Sequence, residues 1–298
     1  MIGRTTNRLL YQHAYHAGNY ADVIKHTVLI MALQHMKKKP SPFSYVETHS
    51  GAGAYPLSSE EALRLGEHER GIEALRRSRG GFTSPQAIET LFNVMDQLSL
   101  KNKDCGGEVV YPGSPSLAAS LCREGDSILL CEQAPDQCEL LRRRIGCDPR
   151  ARIVLGDGYK ELKQRENYNS QQRSLVFIDP PYQFGSETER IASLTTHLRK
   201  HWRSARVAIW HPVSERNQDK TERLQAMVRE AALEGDDILA VECKPPDGDG
   251  EDPLDIGSGL LMVNPPFGMD DDLRRVLPEI GAAISGRGGE PDVRVEFI

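Results

Sequence analysis

Short apolar runs that end in a polar or acidic residue recur along the chain, and a longer stretch with helical periodicity follows most of them. The runs are rich in Val, Ile and Leu and are bounded by Gly, Pro or charged residues, which is typical of buried strands. They predict seven strands, at 43–48, 127–132, 152–156, 174–179, 206–211, 238–243 and 259–264.

The stretches between these runs predict helices, among them 22–38, 135–145, 187–202 and 214–233. Strands that alternate with helices favour a mostly parallel sheet with helices on both faces. The pattern therefore predicts an α/β fold with a seven-stranded sheet. The tail after Ser285 is expected to be loosely ordered.

The spacing between strand ends predicts an insertion after the first strand. About one strand–helix unit separates Glu132 from Asp157 and Asp157 from Asp179, whereas 85 residues separate Glu47 from Glu132. That excess is too long for a compact loop, and within it 58–79 and 84–99 have polar, helical patterns. We predict a core of residues 1–53 and 108–298 with a small helical subdomain, 54–107, inserted into it.

Composition narrows the class of protein. With 39% apolar and 27% charged residues, no apolar stretch long enough to span a membrane and no signal peptide, we expect a cytoplasmic protein without a membrane partner. The six cysteines form no Cys-x-x-Cys pair, so neither a zinc site nor a disulfide scaffold is indicated. The net charge of −6 means that a polyanion would have to dock on a local basic patch.

The strongest chemical signal is Asp179-Pro180-Pro181-Tyr182, which directly follows an apolar run. Ligands of α/β sheets gather at the carboxyl ends of the strands, and the prolines end the strand there. The Asp179 carboxylate and the Pro180 carbonyl could accept the two N–H bonds of an adenine amino group, while Tyr182 stacks on the base. Because the same residues could also form only a rigid turn, the interpretation depends on the earlier strand ends.

Those strand ends carry the groups that a nucleoside cofactor needs. Gly51 and Gly53 follow the first strand, where glycines let the backbone approach a ligand closely. Glu132 is placed to bond both ribose hydroxyls, and Asp157-Gly158 is placed to meet an adenine ring. A nicotinamide enzyme is disfavoured because Pro56 stands where a dinucleotide fingerprint needs its third glycine.

Two further segments allow more than one interpretation. The stretch 11–26 is rich in His and Tyr, which suits contact with an unstacked base or, equally, a buried polar cluster. Within it, Asp22 is a plausible N-cap for the following helix. Asn264-Pro265-Pro266-Phe267 also follows an apolar run, but it comes three strands after Asp179. We interpret it as the turn after the last strand.

Four motifs together resemble the J-type large-subunit ribosomal RNA methyltransferases of bacteria, the RlmJ family. They are Tyr11-x-His13-x-Tyr15-His16-Ala17-Gly18-Asn19-x-Ala21-Asp22-Val23-x-Lys25-His26, Thr48-His49-x-Gly51-Ala52-Gly53, Tyr111-Pro112-Gly113-Ser114-Pro115 and Asp179-Pro180-Pro181-Tyr182. The resemblance also takes in Asn264-Pro265-Pro266 and covers most of the chain. Glu47 and Ser50 depart from the family pattern, and neither is expected to touch the chemistry.

The resemblance implies a Rossmann-like class I methyltransferase that forms N6-methyladenine at a specific adenine of 23S rRNA. The methyl donor would be S-adenosyl-L-methionine, with S-adenosyl-L-homocysteine as product. It implies Asp179 as the catalytic carboxylate, with Pro180 and Tyr182 at the reacting base and Tyr11 gating or contacting that base. The implied cofactor contacts are Lys25, His26, His49, Ser114, Glu132, Asp157 and Gly158, beside the Gly51 loop.

We expect the partner to be protein-free 23S rRNA or an early assembly intermediate, with the enzyme a monomer that binds no metal. Two alternatives stay open. A DNA adenine-N6 methyltransferase would carry the same Asp-Pro-Pro-Tyr motif, although no domain for reading a duplex major groove is evident. A non-catalytic nucleic-acid-binding protein of the same fold is disfavoured by the intact Asp179 and Glu132.

Overall fold

The computed structural model describes residues 12–101, 108–164, 172–182, 185–246, 256–285 and 289–298. Its main strands are β1 (Phe43–Glu47), β4 (Ser127–Glu132), β5 (Ala151–Leu155), β6 (Arg173–Ile178), β7 (Ala205–Val213), β8 (Ile238–Lys244), β9 (Gly257–Val263) and β10 (Asp292–Phe297). Two short strands, β2 (Ala54–Pro56) and β3 (Val110–Pro112), pair with each other as an antiparallel ribbon.

The eight main strands form one sheet in the order β10-β8-β9-β7-β6-β1-β4-β5. All pairs from β7 to β5 are parallel, whereas β9 runs antiparallel to both β7 and β8, and β10 runs antiparallel to β8. The predicted mostly parallel sheet is confirmed. The predicted count of seven is wrong by one strand, because residues 292–297 pair with β8 instead of forming a loosely ordered tail.

Ten α-helices lie in the described part of the chain. They are α1 (Tyr20–Lys37), α2 (Glu60–Leu65), α3 (Ile72–Arg77), α4 (Gln86–Lys101), α5 (Ser114–Leu121), α6 (Pro135–Ile145), α7 (Gly158–Lys163), α8 (Glu187–His201), α9 (Gln218–Ala231) and α10 (Met269–Ser285). Short 3-10 helices precede α1, α3 and α9, at His13–Tyr15, Glu67–Arg70 and Glu215–Asn217. None of the described helices is long and apolar enough to cross a membrane.

Helices cover both faces of the sheet, as predicted. Helices α7, α8 and α9 bury apolar side chains such as Leu194 and Val228 against one face. Helices α1, α5, α6 and α10 pack on the other face, where α1 is buried on nearly all sides. A helix buried on nearly all sides is typical of a core position, and α1 therefore holds both its apolar and its charged residues in fixed places above the sheet.

The segment between β1 and β4 begins and ends side by side, because Ala54 of β2 pairs with Pro112 of β3. Its helices α3 and α4 place Leu75 and Phe92 in the same apolar cluster as α1. The division into a core and an inserted subdomain at 54–107 stays a prediction, and residues 102–107 lie outside the described ranges.

The start of α1 differs from the prediction. Asn19 is the N-cap, and its side-chain oxygen accepts the backbone N–H of Asp22. Asp22 therefore lies inside the first turn instead of capping it. Its own carboxylate accepts the backbone N–H of Gly18, the residue before the N-cap, at 3.0 Å. The two side chains thus bond backbone N–H groups at the helix start and just before it.

Candidate active site

Three acidic residues lie together at the carboxyl edge of the parallel strands. Glu47 ends β1, Glu132 ends β4 and Asp179 follows β6, and β1 lies between the other two strands. Because parallel strands end at the same edge of a sheet, three carboxylates distant in the sequence converge on one surface.

The Asp179 carboxylate is paired with a lysine from the helix above the sheet. Lys25 Nζ lies 2.8 Å from Asp179 Oδ2 and 2.8 Å from Asp22 Oδ1, so one ammonium bridges two carboxylates. The Lys25 side chain is only 5% exposed, and Trp210 of β7 lies with its ring centre 5.1 Å from the ammonium. The predicted catalytic carboxylate is thus held on one of its oxygens by a buried cation.

Tyr182 lies beside this pair in a left-handed backbone conformation, with φ of 50°. Its hydroxyl donates to the Trp210 carbonyl at 2.7 Å, and its ring meets the Trp210 ring edge-on at 6.0 Å. Burial, together with the nearby Asp179 carboxylate, raises the pKa of Tyr182, so the hydroxyl stays a donor. The ring is fixed by these contacts next to Asp179, with buried Pro180 between them in the chain.

The glycine loop after β1 is tied to the acid that ends β4. Gly51 has φ of 59°, which favours glycine, and its N–H donates to Glu132 Oε2 at 2.7 Å. The Ala134 N–H donates to Glu132 Oε1, also at 2.7 Å. The Glu132 oxygens keep further lone pairs, so the carboxylate can still accept a pair of hydroxyl groups.

Ser50 lies in the same loop with its hydroxyl oxygen buried and without a hydrogen-bond partner among the described residues. A buried polar atom without a partner costs free energy unless something else bonds to it. This atom is therefore one that a bound polar ligand would satisfy.

Asp157 caps the short helix α7 at the end of β5. Its Oδ1 accepts the backbone N–H groups of Tyr159 and Lys160, and its Oδ2 pairs with Arg190 of α8 at 2.8 Å. The Arg190 guanidinium also lies over the Tyr159 ring, 4.2 Å from its centre. Asp157 is thus fixed by both a helix start and a cation.

Gly158 lets α7 approach the end of β1. A Cβ atom at this position would lie 2.3 Å from the Thr48 carbonyl oxygen, so no other residue fits without a shift of the backbone. The approach brings His49 edge-on to Tyr159, with ring centres 5.0 Å apart. Burial lowers the pKa of His49 to about 4, so at neutral pH its ring is uncharged.

Ser114 and His26, two further residues expected to contact the cofactor, also make internal bonds. The Ser114 hydroxyl donates to Glu47 Oε1, while His26 Nδ1 lies 2.8 Å from the Tyr111 hydroxyl oxygen. Burial lowers the pKa of His26 to about 3, which keeps it neutral. Contact with a cofactor stays a prediction for every residue expected to make it: Lys25, His26, His49, Gly51, Ser114, Glu132, Asp157 and Gly158. The role of Tyr11 also stays a prediction, and Tyr11 lies outside the described residues.

The structure adds four residues that the sequence interpretation did not place in the site. Glu47 ends a strand, so the rule that selected Glu132 applied to it too, whereas Trp210 lies inside β7 and had no such signal. Asp22 was assigned only to a helix start, and Arg190 had no signal in the sequence. In the described part of the chain no group of three His, Cys, Asp or Glu side chains is arranged to hold a metal ion.

Comparison with known proteins identifies a family. A family model described as "Ribosomal RNA large subunit methyltransferase D, RlmJ" (RsmJ) matches residues 40–297. "Ribosomal RNA large subunit methyltransferase J" of Escherichia coli K12 is 36% identical over 91% of this chain and 92% of its own length. The protein of the same name from Haemophilus influenzae is 31% identical over 94% of this chain and 95% of its own length.

A solved structure supports the same conclusion about the fold. The crystal structure of a Legionella pneumophila protein matches with a TM-score of 0.80 and 27% identity, covering 94% of this chain and 98% of that one. Both the family model and the two relatives cover well over half of this sequence, which confirms the resemblance in the motifs. The chain is a member of the RlmJ family of ribosomal RNA large subunit methyltransferases.

Proposed function

We propose that this protein transfers the methyl group of S-adenosyl-L-methionine to the N6 amino group of an adenine in 23S rRNA, with S-adenosyl-L-homocysteine as product. The observation that carries the proposal is the Asp179 carboxylate, held at the end of β6 by Lys25 and flanked by the fixed ring of Tyr182. Family membership supports the substrate, since the relatives are named for the large-subunit ribosomal RNA.

The residues at the strand ends fit the proposed cofactor. Glu132 has lone pairs for the two ribose hydroxyls, and the buried Ser50 hydroxyl is a polar atom that a ligand would satisfy. His49, Asp157 and Gly158 form the side where the adenine ring of the cofactor would bind. The cofactor supplies an electrophilic methyl group on a sulfonium centre.

Asp179 has two tasks in this mechanism. Its oxygen that is free of Lys25 accepts an N–H bond of the target amine, and the Pro180 carbonyl is the candidate acceptor for the second. Accepting both bonds favours the pyramidal nitrogen whose lone pair points at the methyl carbon. When bound, the cofactor would supply the methyl group, with its sulfur as the leaving group, and Asp179 or water would take the proton that N6 loses.

Positioning supplies most of the rate enhancement in this scheme. Tyr182 cannot swing freely because its hydroxyl is bonded to the Trp210 carbonyl, so it offers a fixed face for an unpaired adenine. Holding amine and methyl group in line can lower the barrier by about 7–11 kcal/mol.

Several finer features belong to the same proposal. The substrate is protein-free 23S rRNA or an early assembly intermediate, and the enzyme acts as a cytoplasmic monomer without a metal ion. Residues 54–107 act as a helical subdomain inserted into the methyltransferase core, and Tyr11 gates the site. Lys25 and His26 contribute to cofactor binding from α1.

The test is transfer of labelled methyl from S-adenosyl-L-methionine to protein-free 23S rRNA, followed by nuclease digestion and identification of the labelled nucleoside. We expect N6-methyladenine with the wild type and no label with Asp179→Ala. Calorimetry should find the cofactor affinity of that variant within a few fold of wild type. Label in duplex DNA but not in rRNA would favour the DNA methyltransferase alternative. Loss of cofactor binding in Asp179→Ala would contradict the role given to Asp179.

A further inference from the structure

A chain of buried charges links the N-terminal segment to the predicted catalytic carboxylate. Asp22 Oδ1 lies 2.8 Å from Lys25 Nζ, and Lys25 Nζ lies 2.8 Å from Asp179 Oδ2. The exposed fractions of the three side chains are 4%, 5% and 15%, so water screens these contacts poorly.

The second oxygen of Asp22 is also occupied. Asp22 Oδ2 lies 2.9 Å from His13 Nε2 and accepts the backbone N–H of Gly18 at 3.0 Å. Although burial alone would raise it, the neighbouring His13 and Lys25 hold the pKa of Asp22 well below its usual range. Asp22 is therefore an ionised carboxylate with partners on both oxygens.

The helix fixes Asp22 and Lys25 relative to each other. They are three residues apart on α1, so their side chains lie on the same face one turn apart. Asp22 occupies the first turn, where the helix dipole stabilises an acid. Since α1 is buried on nearly all sides, the pair cannot move without disturbing the core.

We propose that Asp22 is a positioning residue for methyl transfer: it acts through Lys25 to orient Asp179 and to keep the free oxygen of Asp179 a strong hydrogen-bond acceptor. The inference rests on the proposed role of Asp179. It gives Asp22 a function in the reaction beyond its place in the first turn of a helix.

The physical reason is the sharing of one cation between two anions. A lysine bound to Asp179 alone would neutralise the carboxylate and weaken its hold on the substrate amine. With Asp22 on the other side, Lys25 shares its charge between two carboxylates and neutralises Asp179 less, while His13 contacts the other oxygen of Asp22. The negative charge that Asp179 keeps favours the positive charge that develops on the attacking nitrogen, and it acts strongly because these side chains are largely buried.

The experiment is a double-mutant cycle of Asp22→Asn, Lys25→Met and the combined variant, with single-turnover rates measured at saturating cofactor and nucleic acid. Asp22→Asn keeps the side-chain shape and removes the charge. We expect it to lower the rate by at least about tenfold. The nucleic-acid KM should stay within about threefold, and saturating cofactor removes any change in the cofactor Kd from the measured rate. In the Lys25→Met background the same change should have no further effect beyond about twofold, because Asp22 acts through Lys25.

Asp126→Asn is a matched control. Asp126 is also a buried aspartate, and it pairs with Arg123, three residues before it in the chain. Unlike Asp22, it lies at the opposite edge of the sheet. It should lower the melting temperature without lowering the rate of the folded enzyme. Equal rate losses in Asp22→Asn and Asp126→Asn would overturn the inference, and so would losses from Asp22→Asn and Lys25→Met that simply multiply.

The cycle is run on whichever adenine-containing nucleic acid the wild type methylates. Wild-type activity on duplex DNA but not on rRNA would contradict the proposed substrate while the cycle still decides the role of Asp22. If the wild type methylates rRNA but the rate losses of Asp22→Asn and Lys25→Met multiply in the combined variant, only the role of Asp22 is contradicted and the proposed function stands.

Discussion

Glu47 ends β1 as a fully buried acid beneath the candidate site. The Tyr45 hydroxyl donates to Glu47 Oε2 at 3.0 Å, and the Ser114 hydroxyl donates to Glu47 Oε1. Burial, the dominant cause, raises the pKa of Glu47 to about 8, even though both hydroxyl groups act to lower it. At neutral pH this carboxyl group is largely protonated.

The predicted consequence is a pH-dependent stability difference between wild type and Glu47→Gln. The ordinary pKa of Glu47 is 4.5 and its folded value is about 8, so its contribution to stability is fully present below 4.5 and is lost as pH rises through 8. Glutamine stays neutral at every pH. The unfolding free energy of the variant minus that of the wild type should therefore rise as pH increases from 4.5 to 8, by on the order of a few kcal/mol.

Urea unfolding at pH 5, 6.5 and 8.5 measures the difference. Glu124→Gln, at an exposed position, is the control and should show no such trend. A difference that is the same at all three pH values would show that Glu47 is ionised in the folded protein throughout.

At the scale of elements, the final strand is the largest departure from the sequence prediction. Residues 292–297 alternate Val293, Val295 and Phe297 with polar residues, a period of two that fits a strand, but a Gly-rich segment before them favoured a loose tail. In the structure Val295 pairs with Val241 of β8 and is only 8% exposed. Pairing with β8 determines that this segment forms a strand. The sequence of the segment itself does not show which strand it pairs with.

Deleting residues 292–298 should therefore destabilise the protein. The deletion removes the buried Val295, exposes the edge of β8, and removes the bond from Arg274 Nε to the Val295 carbonyl. Burial of one valine alone contributes about 1.5–3 kcal/mol, and an uncovered strand edge promotes self-association. We expect a lower melting temperature and increased light scattering. The control is Phe297→Ser, at a half-exposed position, which should change the melting temperature and the light scattering little. A deletion variant as stable as wild type would show that β10 is dispensable.

Glycine explains another difference between predicted and observed elements. The stretch 58–79 has one helical pattern, yet it forms α2, a 3-10 helix and α3. The breaks fall at Gly66, with φ of 64°, and at Gly71, where a Cβ atom would lie 2.1 Å from the Gly18 carbonyl oxygen. The second break exists because the N-terminal segment packs there, a contact between residues distant in the sequence. By contrast, the bounds of β1, β4 and α6 agree with prediction to within one residue.

At the scale of the whole molecule, strand direction decides which of two similar motifs lies at the site. Tyr182 and Asn264 both have left-handed backbones, and each lies in a segment with two consecutive prolines. Strand β9 runs antiparallel to β7, with Val263 paired to Val207 at the start of β7. Asn264 therefore lies at the opposite edge of the sheet from Asp179, which agrees with its interpretation as a turn, although β10 and not β9 is the last strand.

Asn264→Gly should leave methyl transfer within about twofold of wild type. Glycine accepts the φ of 55° at this position, so only the side-chain bond from Asn264 Nδ2 to Asp236 Oδ1 is lost. The free energy of unfolding should fall by about 1 kcal/mol. Single-turnover rates and urea unfolding measure the two effects, with Asp179→Ala as the inactive reference. A large rate loss in Asn264→Gly would mean that the second motif contributes to the reaction.

The amino-acid sequence alone identifies the α/β class, the family and the edge at which Glu132, Asp157 and Asp179 meet. It could do so because apolar runs mark parallel strands, and parallel strands that alternate with helices all end at one edge. Tertiary packing brings Lys25 to Asp179, 154 residues away, and places Asp22 on the other side of Lys25. It also decided the direction of β9 and the pairing of β10. These features depend on how α1 packs on the sheet and on which strands become neighbours, and no local pattern encodes either, because the free energy that selects them comes from contacts between distant segments.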